Sequence, residues 1–456
     1  MKKSLQKDFT HGSIPRQLLA LTLPFMLSNA LQLLYATVDM VIVGAFVGTA
    51  GLCAVSQSSM VINFGVMGCL GFSNSGQILV AQALGGGKKQ QIQKIVGTLF
   101  SVVGLLGLGL SVIYLCFGAA FLSWVNIPPE SRDMAREYLM ISAGGLVFTA
   151  GYNMVSSVLR GMGDSLRPLL FIGIASGVNL VLDLIFTGWW GWGVAGAAWA
   201  TIIGQAVSFL FSLFYLYRRK EAFGFDFRPK SFRIHKSYAK MIASLGAPMA
   251  VQSGAINVSM LFVISLVNSV GVVAGATFGV GVKIDDIINK LSQGIQYAAV
   301  PIISQNIGGG KPRRAKATVF WACLYALVLT ALFMTAYLVW GKQLFMLFSC
   351  DPAVLAMSGT FIAAILWMFP AFVIMRGTGS FIQGIGNARL GMILAMLDGV
   401  VLRIGLSWLF GSVFGWGFYG FVLGYGLAPY GMAVPGLIYF LAGRWERAKT
   451  LAQKME

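Results

Sequence analysis

Charge is what this sequence has least of. Only 11% of its 456 residues are Asp, Glu, Lys or Arg, against about 25% in an ordinary soluble domain. Apolar residues make up 57%, so a soluble globule is excluded and a polytopic helical membrane protein is expected. Histidine is nearly absent. His11 and His235 are the two in the chain, and both lie outside the apolar runs, so no His-centred catalytic dyad or metal site is available at membrane depth. Five cysteines (Cys53, Cys69, Cys116, Cys323, Cys350) stand far apart with no C-x-x-C pair. They neither build a metal site nor suggest a disulfide framework. Two GGGK turns lack both the G-x-x-x-x-G-K-[ST] spacing and a preceding strand, which argues against ATP as energy source. The basic start up to Arg16 precedes an apolar segment too long for a signal peptide and without a small-residue cleavage site. It reads as a first span.

What is present is apolar sequence in repeated lengths of at least the ~20 residues a bilayer requires. Twelve stretches qualify, near 17–46, 53–82, 93–119, 134–158, 167–187, 192–217, 240–267, 272–302, 316–340, 353–376, 390–411 and 416–442. Lys and Arg number 33 against 15 Asp and Glu, a formal +18. Of the 33, 26 fall on one side of the spans, in seven segments that include both termini. The other side has only Arg132, Arg136 and Lys342. The bias assigns both termini to the cytoplasm of a plasma-membrane protein, and it removes the case for nucleic-acid binding, which needs one basic face.

The chain also repeats itself. Val80-Ala-Gln-Ala-Leu-Gly-Gly-Gly-Lys88 matches Ile303-Ser-Gln-Asn-Ile-Gly-Gly-Gly-Lys311, and Arg160-Gly-Met-Gly-Asp-Ser-Leu-Arg167 matches Gln383-Gly-Ile-Gly-Asn-Ala-Arg-Leu390, both at an offset of 223. Gly191-Trp-Gly193 recurs as Gly415-Trp-Gly417, and Pro24 as Pro248, at 224. Six spans per half is an even number, so the halves are parallel repeats. The expected organisation is an N-terminal six-helix lobe (1–217), a basic cytoplasmic linker (218–239) and a C-terminal six-helix lobe with a cytoplasmic tail (240–456).

An acid inside a membrane is costly and needs a partner or a purpose. The candidates are Asp39, Asp183, Asp285, Asp286 and Asp398. Asp39 shares a helical stripe with Gln32 and Tyr35; Asn179 and Asp183 share a face of the fifth span, as Ala197 and Thr201 do on the sixth. Together these supply an oxygen-lined pocket for a hard cation, or two carboxylates sharing a proton. The bland alternative is that the acids only hydrogen-bond neighbouring helices. The repeat argues against it, because Asp39 aligns with Val263 and Asp183 with Leu406 or Ser407: the second half packs without them. In the second half, Lys283, Asp286 and Lys290, spaced i, i+3, i+7 beside Asp285, read as a self-compensated network. Arg376 aligns with Asn153, and Asp398 and Arg403 share the eleventh span; a buried Arg376–Asp398 ion pair is the expectation there, as gate or as packing.

Leu21-Thr-Leu-Pro24 with Val38-Asp39-Met-Val-Ile-Val-Gly44, Val80-Ala-Gln82, Ser304-Gln-Asn306, Arg160-Gly-Met-Gly-Asp164, Asn179-Leu-Val-Leu-Asp183 and Gly193-Val-Ala-Gly-Ala-Ala-Trp-Ala-Thr201 together resemble the multidrug and toxin extrusion (MATE) family, in its prokaryotic, DinF-like branch. The resemblance covers almost the whole chain. It implies a V-shaped pair of six-helix bundles that exports cationic amphiphiles by alternating access in exchange for H⁺ or Na⁺. No cofactor or ATP is needed, and the chain is expected to work as a monomer in the bilayer. Carried over, the coupling site falls on Asp39, Asn179, Asp183, Ala197 (through its carbonyl) and Thr201. Tyr138 and Asn153 form its hydrogen-bonded shell, Gln32 and Tyr35 the cavity wall, and Pro24 the bend of the first helix. One departure is that Ala247 to Val267 in the seventh span has no acid, only Gln252 and Asn257. The alternative within the superfamily is a lipid or lipid-linked oligosaccharide flippase, against which the twelve spans and N-lobe acids argue. A membrane-embedded enzyme is disfavoured because no compact catalytic cluster is visible, and a non-transporting scaffold because Asp39 and Asp183 have no counterparts in the other half.

Overall fold

A computed structural model describes residues 6–125, 127–447 and 449–455; Lys2 and Lys3, counted above toward orientation, lie outside them. Twelve long helical segments follow in the expected order, and no strand occurs among the described residues. They are α1 (Ile14–Phe46), α2 (Gly48–Gly85), α3 (Lys89–Ser123), α4 (Pro129–Gly161), α5 (Leu166–Trp189), α6 (Gly193–Arg218), α7 (Lys236–Asn268), α8 (Val272–Gly308), α9 (Pro312–Met346), α10 (Pro352–Ile365 with Met368–Gly384), α11 (Ala388–Val413) and α12 (Gly417–Leu441). Ten are long and apolar enough to cross a membrane, and α10 makes an eleventh if its two parts, bent by 48°, are one span. The exception is α8. It is 37 residues long, but Lys283, Asp285, Asp286 and Lys290 fall within two of its turns.

Contacts divide the chain into two units. The first is built on Leu27–Ala250 and the second on Phe9–Met26 with Val251–Lys454. Both divisions run through helices, in α1 after Met26 and in α7 after Ala250, each two residues past a proline (Pro24, Pro248) that removes a backbone donor.

In unit 1 the linker is strapped onto α3. Gln93 Nε2 donates to Ser231 Oγ (3.3 Å), Thr98 Oγ1 accepts from His235 N (3.3 Å), and Phe100 stacks on Phe225 with centroids 5.9 Å apart. The start of α7 packs on α2 so closely that a Cβ on Gly71 would stand 2.7 Å from Gly246 O. In unit 2 the segment before α1 is held the same way at the second Gly-rich turn. Phe9 N donates to Gln305 Oε1 (2.9 Å), Asn306 Nδ2 donates to Phe9 O (3.1 Å), and Lys311 Nζ donates to Thr10 O (3.0 Å). Gln305, Asn306 and Lys311 of the repeated motif are thus anchors for main chain. Leu18, Leu21 and Phe25 of α1 then enter a core with Ile295, Ile302 and Phe381.

The repeat extends to local geometry. Gly191 and Gly193 turn into α6 at φ 66° and 60°, and Gly415 and Gly417 turn into α12 at 71° and 55°, a region other residues rarely enter. The helix before each turn ends in π-helical backbone, Leu184–Trp189 in α5 and Leu409–Val413 in α11. Phe186 stacks on Trp192, and Phe410, 224 residues on, stacks on Trp416.

Candidate functional site

The N-terminal candidates lie in unit 1, on α1, α4, α5 and α6. Two glycines seat α6 against α5. A Cβ on Gly196 would stand 2.8 Å from Phe186 C, and one on Gly204 would stand 2.9 Å from Ala175 O and 3.2 Å from the Asn179 Cβ. Between them, Ala197 is fully buried and Thr201 half-buried. The close crossing brings Asn179 Nδ2 within 3.4 Å of Thr201 Oγ1, to which it donates. One turn further along α5, Asp183 is 1% exposed and sits where α-helical backbone gives way to the π-helical turn. Such π segments accompany functional sites because they re-aim the residues beside them.

Asp39, half-buried on α1, brings its carboxyl within hydrogen-bonding reach of Asp183. Asp39 Oδ1 and both carboxyl oxygens of Asp183 are buried, with no hydrogen bond at normal distance among the described residues. Asn179, which lies beside Asp183, gives its N–H to Thr201. Two buried carboxyl groups in contact repel as anions, and a proton or a cation between them removes the repulsion. Tyr138 (5% exposed) stands in electrostatic range of both acids and accepts from Ser59 Oγ at 3.4 Å. Tyr35 lies beside Asp39 and Tyr152, while Gln32 is exposed. Asn153 is half-buried on α4, next in sequence to Tyr152. Ser59, Tyr152 and the two glycines are neighbours that sequence reasoning passed over. The i, i+8 spacing of Gly196 and Gly204 around Ala197 and Thr201 was the available signal.

The second-half candidates do not form one cluster. Lys290 and Asp286 make an ion pair at 3.5 Å with both side chains more than two-fifths exposed, a contact of little energetic weight. Lys283 is exposed and stands outside that pair. Asp285 is buried and accepts from the Tyr337 hydroxyl at 2.8 Å. Arg376 does not pair with Asp398, contrary to expectation. It donates to Ser292 Oγ and Gln296 Oε1 (3.1 Å each) and to Asn289 Oδ1, over the Phe372 ring. Asp398 is instead bonded to Arg403 at 3.1 Å. At the repeat offset of 224, Arg403 takes the place of Asn179 and Tyr425 that of Thr201, so the amide–hydroxyl contact of unit 1 is replaced by a guanidinium 5.2 Å over an aromatic ring. The places of Asp39 and Asp183 are taken by fully buried Val263 and by Ser407, whose Oγ donates to Phe421 O at 3.1 Å.

The Asp398–Arg403 pair yields a direct expectation. Asp398→Asn leaves a buried guanidinium without counter-charge and should cost about 3–5 kcal/mol. Arg403→Met on top of it should recover most of that. Thermal unfolding of purified protein checks both; equal stability of Asp398→Asn and wild type would refute the pair's structural role.

Comparison with known proteins agrees with this duplicated architecture. The MatE family model matches residues 24–185 and again 248–409, the second match beginning and ending 224 residues after the first. A probable multidrug resistance protein, YpnP, of Bacillus subtilis (strain 168) is 30% identical over 455 residues, covering 98% of this chain and 99% of that one. The probable multidrug resistance protein NorM of Thermotoga maritima is 23% identical over 100% of this chain and 99% of its own. Among solved structures, a crystal structure of MATE in the straight conformation superposes with a TM-score of 0.89 at 21% identity, covering 100% of both chains, which speaks for the fold. With both halves matched in register and a full-length relative at 30% identity, the chain belongs to the MatE family of multi-pass membrane transporters.

Proposed function

We propose that this protein exports cationic amphipathic compounds across the plasma membrane in exchange for protons, by alternating access, with Asp39 and Asp183 as the shared binding site for proton and cargo. The observation that carries this reading is the approach of the two carboxyl groups to each other, with Asp39 Oδ1 and both Asp183 oxygens buried and the Asn179 amide beside Asp183. A proton fits that contact as it stands, because the protonated oxygen donates to its neighbour. A sodium ion would need further oxygens, from Asn179, Thr201 and the Ala197 carbonyl. The names of the relatives, multidrug resistance proteins among them, support drugs as cargo.

Cargo and proton compete for the same negative charge. A cationic compound on the ionised pair displaces the shared proton, and a proton returning from outside neutralises the pair and releases the cargo. Conformational change follows because a ligand shifts an equilibrium by its differential affinity for the two states. Tyr35 and Tyr138 offer aromatic rings beside the acids for the organic part of the cargo. In this reading the Lys and Arg bias puts both termini in the cytoplasm, and the proton gradient supplies the energy.

The test is dye efflux from proteoliposomes under an imposed pH gradient or an imposed Na⁺ gradient. Efflux driven by the pH gradient alone is expected, with dye affinity rising as pH rises. Efflux driven by Na⁺ alone would overturn the proton assignment, and none under either gradient would overturn the export reading.

A further inference from the structure

Unit 2 buries an acid that the Asp39–Asp183 mechanism does not use. Asp285, on α8, is 3% exposed. Its Oδ1 accepts from the Tyr337 hydroxyl at 2.8 Å, and its Oδ2 is buried without any donor. No ion pair neutralises it among the described residues. On α8 itself, Asp286 is the nearest charge and pairs with Lys290, while Lys283 is exposed. From α9 it faces Tyr337 and from α12 Tyr425. Beyond that ring lie Arg403 and Asp398 of α11, already paired with each other. The titratable group of α10, Arg376, is turned toward Asn289, Ser292 and Gln296, further along α8. Tyr337 belongs to an apolar cluster that includes Ile284, Ile288, Phe361 and Phe369.

The internal repeat shows what the fold requires at this place. Tyr337 aligns with Tyr114 at the offset of 223, and Asp285 with Ile62. In unit 1 the Tyr114 hydroxyl donates to Val61 O (2.9 Å) and accepts from Gly65 N (3.1 Å), tying α3 to the backbone of α2. The same tyrosine in unit 2 gives its proton to Asp285 instead. An isoleucine satisfies the packing in unit 1; in unit 2 Oδ1 of the carboxyl serves the Tyr337 hydroxyl, while Oδ2 adds a buried oxygen with no donor. One carboxyl and one phenol among hydrocarbon are too few oxygens for a metal cation, since hard cations gather about six or more. A proton needs a single lone pair.

We propose that Asp285 is a proton-binding site of unit 2, separate from the Asp39–Asp183 pair, with the Tyr337 hydroxyl as its fixed hydrogen-bond donor and H⁺ as its ligand. In the step concerned the carboxylic O–H bond breaks, its electron pair stays on the carboxylate, and the proton passes to water. No other bond changes. The neutral acid suits its apolar surroundings, whereas the carboxylate requires water around α8, so proton occupancy is linked to hydration of this face.

The assignment goes beyond the coupling role of Asp39 and Asp183 and stands without it. Its test therefore uses full-length protein in the Asp39→Asn/Asp183→Asn background, where the first site is silent. Infrared difference spectra between acid and alkaline pH are expected to show, apart from the bands of the water-exposed carboxyls, loss of a separate carboxylic-acid C=O band of a desolvated group as pH rises. The band should be absent after Asp285→Asn and displaced after Tyr337→Phe, which removes its donor. Asp285→Ile, copying the residue at the equivalent place in unit 1, should fold and also lack the band. No band in the background, or a band that survives Asp285→Asn, overturns the proposal. So does failure of both the Asn and Ile variants to fold, which would make the carboxyl structural.

Discussion

Asp39→Asn should abolish gradient-driven export while leaving the protein as stable as wild type or slightly more so. The stability half follows from the site's geometry. The substitution replaces a carboxyl having a buried oxygen without a donor by an amide whose N–H₂ can donate to Asp183, and removing one of two apposed acids relieves repulsion. The functional half follows from charge. One charge crossing about 100 mV is worth about 2.3 kcal/mol, about a fiftyfold concentration ratio, and a site that cannot bind the proton cannot draw on it. In proteoliposomes the variant should fall to the leak of protein-free vesicles, with an unfolding midpoint at or above that of wild type. Unchanged efflux would remove Asp39 from the coupling site. Lost efflux with a lowered midpoint would make it a structural residue.

The second large effect concerns the helix crossings that repeat in both units. Gly196→Ala places a methyl 2.8 Å from Phe186 C and 2.9 Å from Thr187 N; Gly420→Ala places one 2.5 Å from Phe410 C and O. These obstacles are main-chain atoms of the adjacent helix, which cannot rotate aside, so the strain should exceed the ~1–3 kcal/mol of ordinary overpacking. Both variants should yield little folded protein by size-exclusion chromatography, Gly420→Ala the less. Gly173→Ala and Gly405→Ala, in the same helices as the obstacles, face open space and should behave as wild type. Equal yields from all four would show that the helices can separate at these crossings.

Much of this was legible in sequence because membrane helices announce themselves by length and hydropathy, and because duplication supplied an internal control. The stripe Asn179–Asp183 and the stripe Ala197–Thr201 meet as α-helical spacing predicts. Where the reading departs from α geometry it fails. Asp398 and Arg403 are five apart, which sets them on different faces of an α-helix, and α-helical spacing gave no reason to pair them. The intervening backbone, Leu397–Leu402, is π-helical, and its i to i+5 repeat brings the two together. The seating of the chain start on unit 2 was equally out of reach, since Phe9 and Gln305 are joined by a contact spanning most of the chain.

That seating has a consequence for the two halves as separate polypeptides. The beginning of α1 is packed among residues of the second half, and the beginning of α7 among residues of the first. A chain cut in the linker would leave each fragment with one greasy, unclad helix end and one empty berth. Neither fragment completes a unit alone, while the two together carry all the parts of both.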